Sequence, residues 1–394
     1  MGHDPELNAP GTSPAPRVIQ LYELLVLVLL WNGAHKSARF INTLYALELG
    51  AEPFDTGLLL ATYGVVPLLL AVFTGRLGDR YGVRAPIAAG LVVTATGIAL
   101  PFFWPAFGTL FVAAAITGAG FILVQVSMQA LFAGLGSGAA RTRNINLYAL
   151  VVSSADFAGA ILGGFAIDHL GHVRSYLVPG VMCLAAVLGM AYLYRRVPSA
   201  APATATHARR RMTDLLRDQD LRRILLAGAA VVAGVDLFQL FMPIYGYSIG
   251  LSASVIGITM GCFAAAGFLT RAMLPSLARR FGEERTLLYS MALGAATFLL
   301  IPLFETPIAL GIVSFFLGLG LGLGQPLTVI LTYNRAPPGR AGEGLGLRIA
   351  IINTSHVGVP ALFGAVGSLM GTLPVFWVIA GVIALGGVAI RKHA

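Results

Sequence analysis

The sequence is poor in charged residues. Asp, Glu, Lys and Arg make up 11% of its 394 residues, against roughly a quarter in soluble domains. Hydrophobic residues make up 57% of the chain, and the mean hydropathy is +0.82. This composition excludes an ordinary soluble domain and predicts a chain that lies in a lipid bilayer.

Residue patterns typical of enzyme or metal sites are also scarce. The two cysteines, Cys183 and Cys262, lie in different apolar stretches without metal-binding or redox spacing, and no His-Glu-x-x-His zinc motif occurs. The glycine-rich GLGLGLG at 318–324 lacks the Lys-Ser/Thr pair of a phosphate-binding loop, so we expect it to serve close helix packing. We predict no enzyme activity, no metal and no cofactor.

Long hydrophobic stretches run through the whole chain, each long enough to cross a hydrocarbon core of ~30 Å as a helix. Twelve occur, at 18–46, 56–76, 84–104, 107–133, 145–168, 175–196, 222–247, 252–275, 285–303, 306–331, 343–367 and 372–391. We predict an all-α integral membrane protein with twelve transmembrane helices in two pseudo-symmetric six-helix bundles. Its predicted parts are a tail 1–17, an N-terminal bundle 18–196, a polar linker 197–221 and a C-terminal bundle 222–394.

The formal net charge of +9 could indicate nucleic-acid binding, so the positions of the basic residues decide the matter. If both termini are cytoplasmic, 23 of the 26 Lys and Arg lie at or near cytoplasmic ends and loops, the exceptions being Lys36, Arg39 and Arg174. This distribution follows the positive-inside rule. It predicts a multi-pass protein of the bacterial inner membrane with both termini in the cytoplasm, and no nucleic-acid partner.

The two halves of the sequence resemble each other at a constant offset of 200 residues. TGAGFILVQ at 117–125 aligns with LGLGLGLGQ at 317–325, and GRLGDRYG at 75–82 aligns with PSLARRFG at 275–282. Two parallel six-helix repeats place a binding site near the midplane between the halves.

The stretch GRLGDRYGVR at 75–84 resembles the loop signature between helices 2 and 3 of the major facilitator superfamily. The resemblance implies alternating-access transport, with a latch on the cytoplasmic side formed by Gly75, Asp79, Arg80 and Arg84. In size and plan the chain is most similar to the drug/proton antiporter branch. That branch carries an arginine in helix 4 where this chain has Ala114, and a Gly-Pro pair in helix 5 where this chain has Gly159 and Ala160. The antiporter motifs are therefore eroded in this chain.

Residues 31–42, WNGAHKSARFIN, interrupt the first hydrophobic stretch. Each Lys or Arg at a helix centre costs ~2.5–3.5 kcal/mol to insert, which predicts that these side chains face a water-filled cavity or charged partners. Alternatively the helix ends at Leu30 and 31–42 form a loop, which leaves only residues 18–30 to cross the membrane. On a helix, one arc of about 140° holds the candidate site residues Trp31, Asn32, His35, Lys36, Arg39 and Asn42.

The 200-residue offset also predicts acidic partners. Asp236 corresponds to Lys36, Gln239 to Arg39 and His356 to Asp156. Because a pseudo-two-fold axis brings related positions together, we expect Asp236 to be the counter-ion of Lys36 or Arg39. Burial favours the neutral form of a carboxyl group and a nearby cation favours the charged form, so Asp236, and secondarily Asp156, are predicted to carry protons. The alternative is that both are static members of buried ion pairs.

Further polar and aromatic residues are predicted to line the site. Arg348 is interpreted either as a third anion-binding group beside Lys36 and Arg39 or as a residue snorkelling to the cytoplasmic surface. The other predicted lining residues are Tyr63, Gln125, Gln129, Gln239, Tyr245, Gln325, Asn353 and His356.

These features together predict a proton-coupled secondary active transporter. We expect a monomer in the lipid bilayer that exports a small organic solute, anionic or amphipathic, by alternating access. One alternative is a proton symporter that imports an organic anion; another is a membrane receptor or scaffold that moves no solute.

Overall fold

The computed structural model describes residues 18–135, 138–197, 217–336 and 340–391. Within them the chain forms thirteen α-helices and one short 3-10 helix, η1 (Ile301–Leu303). The helices are α1 (Val18–Glu48), α2 (Pro53–Tyr81), α3 (Arg84–Phe103), α4 (Phe107–Gly134), α5 (Gly138–Ser175), α6 (Leu177–Leu193), α7 (Gln219–Ser248), α8 (Ala253–Phe281), α9 (Glu283–Leu300), α10 (Pro307–Gly322), α11 (Gly324–Arg335), α12 (Ala341–Met370) and α13 (Thr372–Arg391).

These thirteen helices make twelve membrane spans, because α10 and α11 meet at Leu323 and together form the span Pro307–Arg335. Ten spans are long and apolar enough to cross a membrane, Leu177–Leu193 is a shorter apolar helix, and α1 is the twelfth. The predicted twelve-helix, all-α membrane fold is confirmed. The alternative of a loop at 31–42 is wrong, since α1 runs unbroken through that segment.

The seventh helix begins three residues earlier than predicted. Asp218 caps α7, because its Oδ1 accepts hydrogen bonds from the backbone N–H groups of Asp220 and Leu221 at 2.9 and 3.0 Å. A cap of this kind satisfies N–H groups that a helix start otherwise leaves unpaired. The predicted tail 1–17 and most of the predicted linker 197–221 lie outside the described residues.

The glycines of GLGLGLG serve close packing, as predicted. A methyl group on Gly318 would lie 2.2 Å from the carbonyl oxygen of Phe263 on α8, and one on Gly320 would lie 2.6 Å from the backbone nitrogen of Gly294 on α9. These distances leave no room for a side chain.

Two ends of the bundle are distinguished by the course of the chain. At the near end, α1 begins at Val18 and α2 ends at Tyr81; at the far end, α1 ends at Glu48 and α2 begins at Pro53. Helices α1–α6 form one half and α7–α13 the other, and the halves meet chiefly through α5 with α8 and α2 with α12.

The halves are packed tightly at the far end. A methyl group on Gly257 would lie 2.5 Å from the carbonyl oxygen of Ala160, and one on Gly57 would lie 2.3 Å from that of Pro360. Both residues of the second contact differ by 200 positions from those of the first, so the two seams are pseudo-symmetric.

Side chains reinforce both seams across the halves. The Asp168 carboxylate on α5 accepts hydrogen bonds from the N–H groups of Ala253 and Ser254 at 3.0 and 2.8 Å, which caps α8. The Ser368 hydroxyl on α12 accepts one from the N–H of Phe54 at 2.9 Å, at the start of α2. Ser368 is the repeat equivalent of Asp168, and Phe54 that of Ser254, so each half caps a helix of the other.

The near end is open by comparison. The first turns of α5 and the last turns of α8 are largely exposed there, among them Leu150, Met273 and Phe281, and α11 packs on α7, α9, α10 and α12 of its own half. Among the described residues, the tight glycine contacts between the halves lie at the far end, and the space between the halves is accessible from the near end.

Candidate functional site

A cavity of about 470 Å³ lies between the halves at mid-bundle. Its walls come from α1, α2, α4 and α5 on one side and from α7, α8, α10, α11 and α12 on the other. Most of its polar lining residues occur in repeat-related positions, such as Gln125 with Gln325 and Ser153 with Asn353. The cavity therefore has approximate two-fold symmetry in its shape but not in its charges.

The first charged pair in the cavity joins α1 to α5. Lys36 Nζ lies 3.0 Å from Asp156 Oδ1, and the two side chains are 26% and 34% exposed. Gly159, one turn beyond Asp156, allows this contact, because a methyl group there would lie 2.6 Å from Cβ of Lys36. The pair thus depends on a glycine that brings the two helices together.

The second pair joins α7 to α12 in the other half. Asp236 Oδ2 lies 2.7 Å from His356 Nδ1, with the carboxylate 4% and the imidazole 40% exposed. A short contact of this kind between an acid and an imidazole can hold one proton between them. The histidine is the more accessible partner of the two.

Asp236 was predicted to be the counter-ion of Lys36 or Arg39; it forms no ion pair with Lys36 among the described residues, but it attracts Arg39 at longer range. Lys36 pairs with Asp156, and Asp236 pairs with His356. The physical reason is that each pair lies within one half, where α1 packs on α5 and α7 packs on α12. Arg39 remains within electrostatic range of both Asp236 and Asp156.

Arg39 and His35 form the remaining polar face of α1 in the cavity. The Arg39 guanidinium carbon lies 6.0 Å from the centroid of the Tyr63 ring, at the limit of a cation–π contact. His35 stacks on Phe121 with ring centroids 4.1 Å apart and meets the edge of Tyr63 at 5.7 Å. Its buried Nδ1 has no hydrogen-bond partner in the described part of the chain.

The structure places most of the predicted lining residues at the cavity. They are His35, Lys36, Arg39, Tyr63, Gln125, Asp156, Asp236, Gln239, Gln325, Asn353 and His356. Gln129 does not line it, because it lies one turn further along α4 toward the near end, beside Tyr148.

Four further residues that were predicted to line the site are packed in the core instead, so these predictions are wrong for this structure. Trp31 is buried and stacked on Phe121 with centroids 5.1 Å apart. Asn32 is buried against α5, with its amide 3.5 Å from the carbonyl oxygen of Val152. The predicted 140° arc of α1 does contain the residues that face the cavity. The arc is wider than the cavity-facing strip, however, and the residues at its edges pack on neighbouring helices.

The other two are Asn42 and Tyr245. Asn42 donates to the Tyr63 hydroxyl at 2.6 Å and accepts from the Tyr176 hydroxyl, so its amide is used within the first half. The Tyr245 hydroxyl donates to the carbonyl oxygen of Phe304 at 3.0 Å, away from the cavity. Both polar groups are satisfied inside the protein, which leaves them structural roles.

Arg348 fits neither of its two predicted roles in this structure. Its side chain is buried, and its guanidinium donates to the Thr328 hydroxyl at 3.0 and 3.2 Å and to the carbonyl oxygen of Gln325 at 3.1 Å. It therefore fastens α12 to α11, where the backbone is interrupted at Leu323, and it neither faces the cavity nor snorkels.

The predicted latch lies at the near end. Gly75, Asp79 and Arg80 belong to the last turns of α2, and the side chains of Asp79 and Arg80 are outside the described part of the structure. Arg84, at the start of α3, donates a hydrogen bond from Nε to the carbonyl oxygen of Val197, just after α6.

Sequence reasoning missed one charged residue of the cavity, Arg271 on α8. It lines the cavity, and its guanidinium donates a hydrogen bond to the Ser153 hydroxyl on α5 of the other half. The sequence grouped it with the basic residues near the cytoplasmic ends. A signal was present, because Arg271 lies eight residues before Arg279, about 12 Å deeper along a helix.

The stretch GYSIG at 246–250 matches the Gly-x-Ser-x-Gly pattern of serine hydrolases. That motif places its serine on a sharp turn between a strand and a helix. Here the segment ends α7, and the Ser248 hydroxyl donates to the carbonyl oxygen of Tyr245 at 2.8 Å. The serine is thus used in capping the helix end.

Comparisons with known proteins agree with this architecture. The sequence is 23% identical over 382 residues to the sugar efflux transporter A of Escherichia coli K12, covering 93% of this chain and 94% of that protein. It is 24% identical over 321 residues to the class G tetracycline resistance protein of Vibrio anguillarum, covering 79% and 80%. The crystal structure of the nucleoside transporter NupG superposes with a TM-score of 0.77 at 14% identity over 95% of this chain and all of that one, which shows a shared fold.

The family model of the Major Facilitator Superfamily matches residues 33–357 and 224–392. These matches include α1 from Gly33 onward, both seams and the whole cavity. The Escherichia coli relative and NupG are transporters by name, and the family match agrees with the loop signature at 75–84. The chain belongs to the major facilitator superfamily and is a multi-pass membrane transporter.

Proposed function

We propose that this transporter couples the movement of a small organic anion or amphipath to protons by alternating access, with export as the favoured direction. Two repeat-related pairs, Lys36–Asp156 and Asp236–His356, carry the proposal, because both face a cavity that is accessible from the near end. Export is supported by the name of one relative, a sugar efflux transporter.

In the proposed cycle, protons and solute compete for members of the same pairs. A proton on Asp236 weakens its hold on His356 and its attraction for Arg39, and a proton on Asp156 releases Lys36. A carboxylate exchanges between these states more readily when a cationic neighbour moves toward it or away from it. Lys36 and Arg39 are the proposed anion-binding groups of the first half, and the amides Gln125, Gln239 and Gln325 are proposed to bind hydrogen-bonding parts of the solute.

The Lys36–Asp156 pair also favours a second candidate, a symporter that imports an organic anion. A proton that neutralises Asp156 frees Lys36 for a solute anion, so proton and anion would occupy the cavity together. In the exporter, by contrast, a proton and the solute compete for the same groups, so protons and solute would cross the membrane in opposite directions. The two candidates therefore differ in the direction of proton flow relative to solute flow.

The proposed setting is the bacterial inner membrane, with a monomer whose termini are cytoplasmic. The near end, where the cavity is accessible, would then face the cytoplasm. Asp79 and Arg80 are proposed to latch this end when the far end opens, so Asp79→Asn should impair transport while solute binding is retained.

The experiment uses proteoliposomes loaded with a pH-sensitive dye and a panel of small organic anions, each paired with an uncharged analogue. An imposed solute gradient should move protons against the solute for an exporter and with it for a symporter. Solute flux without any proton movement contradicts the coupling, and the absence of flux for every compound contradicts the transport proposal.

A further inference from the structure

Arg271 breaks the two-fold pattern of the cavity. The other charged lining residues occupy paired positions, Lys36 with Asp236, Asp156 with His356 and Arg39 with Gln239, but the equivalent of Arg271 is Ala71. Its hydrogen bond to Ser153 also crosses between the halves. On α5, Ser153 lies on the near-end side of Ala160, where the tight seam with α8 begins.

The charges of the cavity leave Arg271 without an acidic partner. Lys36 is paired with Asp156, and Asp236 lies against His356 and attracts Arg39. Among the described residues, the hydrogen bond of Arg271 goes to a neutral hydroxyl, and it forms no ion pair. With neutral histidines the described lining has three cations and two carboxylates, so one negative charge would balance it.

The surroundings of Arg271 suit a planar acid on an apolar body. A guanidinium has five N–H donors in a flat fork that matches a carboxylate, and Ser153 engages one of its two terminal nitrogens. Phe263 and Phe268, on the same helix, also line the cavity. Phe263 lies about 12 Å deeper along the helix than Arg271 and stacks on Phe238 with centroids 4.6 Å apart, so the wall beyond Phe268 is aromatic.

We propose that Arg271 is a specificity-determining residue that binds the carboxylate of an aromatic monocarboxylate in the cavity, on the half opposite Lys36 and Arg39. Ser153 holds the guanidinium over the cavity until the carboxylate takes its place. Because the ligand's acidic group then contacts α8, the second half contributes to anion selection. This inference rests on the anionic solute class of the proposed function, but binding alone suffices to test it.

The test measures the binding of 2-naphthoate and of its uncharged analogue 2-naphthamide to the purified protein in nanodiscs, without any ion gradient. The wild type should bind the carboxylate at least tenfold more tightly than the amide. Arg271→Gln should remove this preference and change amide binding less than twofold. Arg271→Lys, which keeps the charge but loses the fork, should retain part of the preference.

A control variant separates recognition from folding and from general charge. Arg279→Gln removes the same charge from the same helix outside the lining and should leave the preference intact. The proposal is overturned if the wild type shows no preference, if Arg271→Gln keeps it, or if Arg271→Gln weakens both ligands equally. Carboxylate preference without flux in proteoliposomes would contradict the proposed function and leave the role of Arg271 standing.

Discussion

The Lys36 ammonium group lies 3.0 Å from the Asp156 carboxylate, and the repeat equivalents of these two residues, Asp236 and His356, form a pair of their own at 2.7 Å. The position of the pair is the same in both halves, but the cation and the acid have exchanged helices. Each pair lies within one half, so the halves can move apart without breaking either. In the proposed cycle a proton or a solute breaks the pairs, which makes them suitable as coupling elements.

The first prediction concerns the strength of the Lys36–Asp156 pair. Lys36→Ala should lower the thermal unfolding midpoint of the purified protein, because it leaves a carboxylate without its cation in the cavity. The double variant Lys36→Ala with Asp156→Asn should recover most of the loss. We expect a coupling energy of about 1 kcal/mol, low because both groups are partly exposed. Strictly additive losses would show that the two side chains do not interact in solution.

The second prediction tests the different roles of two arginines. Arg39→Gln should weaken the binding of an organic anion by about 2 kcal/mol, the lower end of the range for desolvated pairs, because Arg39 is partly exposed. Arg348→Gln should instead lower thermal stability, since it breaks the link between α11 and α12 at Thr328. It should leave the ratio of anion to neutral-analogue affinity unchanged. A selective loss of anion binding in Arg348→Gln would contradict this prediction and show that Arg348 belongs to the binding site.

The third prediction concerns the glycine seam between α2 and α12. Gly364→Ala places a methyl group 2.8 Å from the carbonyl oxygen of Pro53, which should cost about 1–3 kcal/mol when the far end is closed. This shifts the balance toward far-end opening by about 5- to 150-fold. Gly358→Ala on the same helix is the control, because a methyl group there meets no atom within 4 Å.

Opening can be followed with a single cysteine at Gln239, in a protein whose Cys183 and Cys262 are replaced by serine. A membrane-impermeant maleimide applied from the far side should label this cysteine faster in Gly364→Ala than in the parent. Equal labelling rates in Gly364→Ala and Gly358→Ala would contradict the claim that the glycine seam keeps the far end closed.

The fourth prediction concerns the two helix caps that cross between the halves. Asp168→Ala removes the acceptor for the N–H groups of Ala253 and Ser254, and Ser368→Ala removes the acceptor for Phe54. Each loss should cost about 1 kcal/mol in the far-closed state. The double variant should increase far-side labelling of the same cysteine more than either single variant.

Asp55→Ala is the matched control for these caps. Asp55 accepts a hydrogen bond from the backbone N–H of Glu52 at 3.1 Å at the same end of the bundle, within its own half. It should weaken α2 without favouring far-end opening. If it increases labelling as much as Asp168→Ala, the effect comes from local fraying of helices.

The fold was predictable from the sequence because twelve apolar stretches and one repeat offset are strong signals. The helix that carries Lys36 and Arg39 was also predictable, because a loop at 31–42 leaves too few residues to cross a bilayer. The partners were not, because a symmetry axis relates Lys36 to Asp236 without stating how far each lies from the axis. The 200-residue offset applies to whole contacts as well as to single residues: Lys36–Asp156 and Asp236–His356 are the same contact in the two halves. A pairing within one half therefore predicts the pairing within the other.

The cavity lining was predictable only in part, for reasons of geometry. An arc of α1 contains Trp31, Asn32 and Asn42 together with Lys36, but neighbouring helices cover its edges, and a single helix does not specify its neighbours. Arg271 escaped notice because charge near the end of a predicted span is usual in inner loops. Only the packing of α8 against α5 shows that its guanidinium reaches Ser153.

The measurement that tests the central claim most directly is the ratio of protons to solute moved in proteoliposomes, using the organic anion that the wild type transports fastest. The wild type, Asp236→Asn and Asp156→Asn are compared at equal protein density. We predict a clear fall in the ratio for Asp236→Asn and a smaller fall for Asp156→Asn, with solute binding retained in both. A wild-type ratio in both variants would contradict the account, because neither carboxylate would then carry the coupled proton.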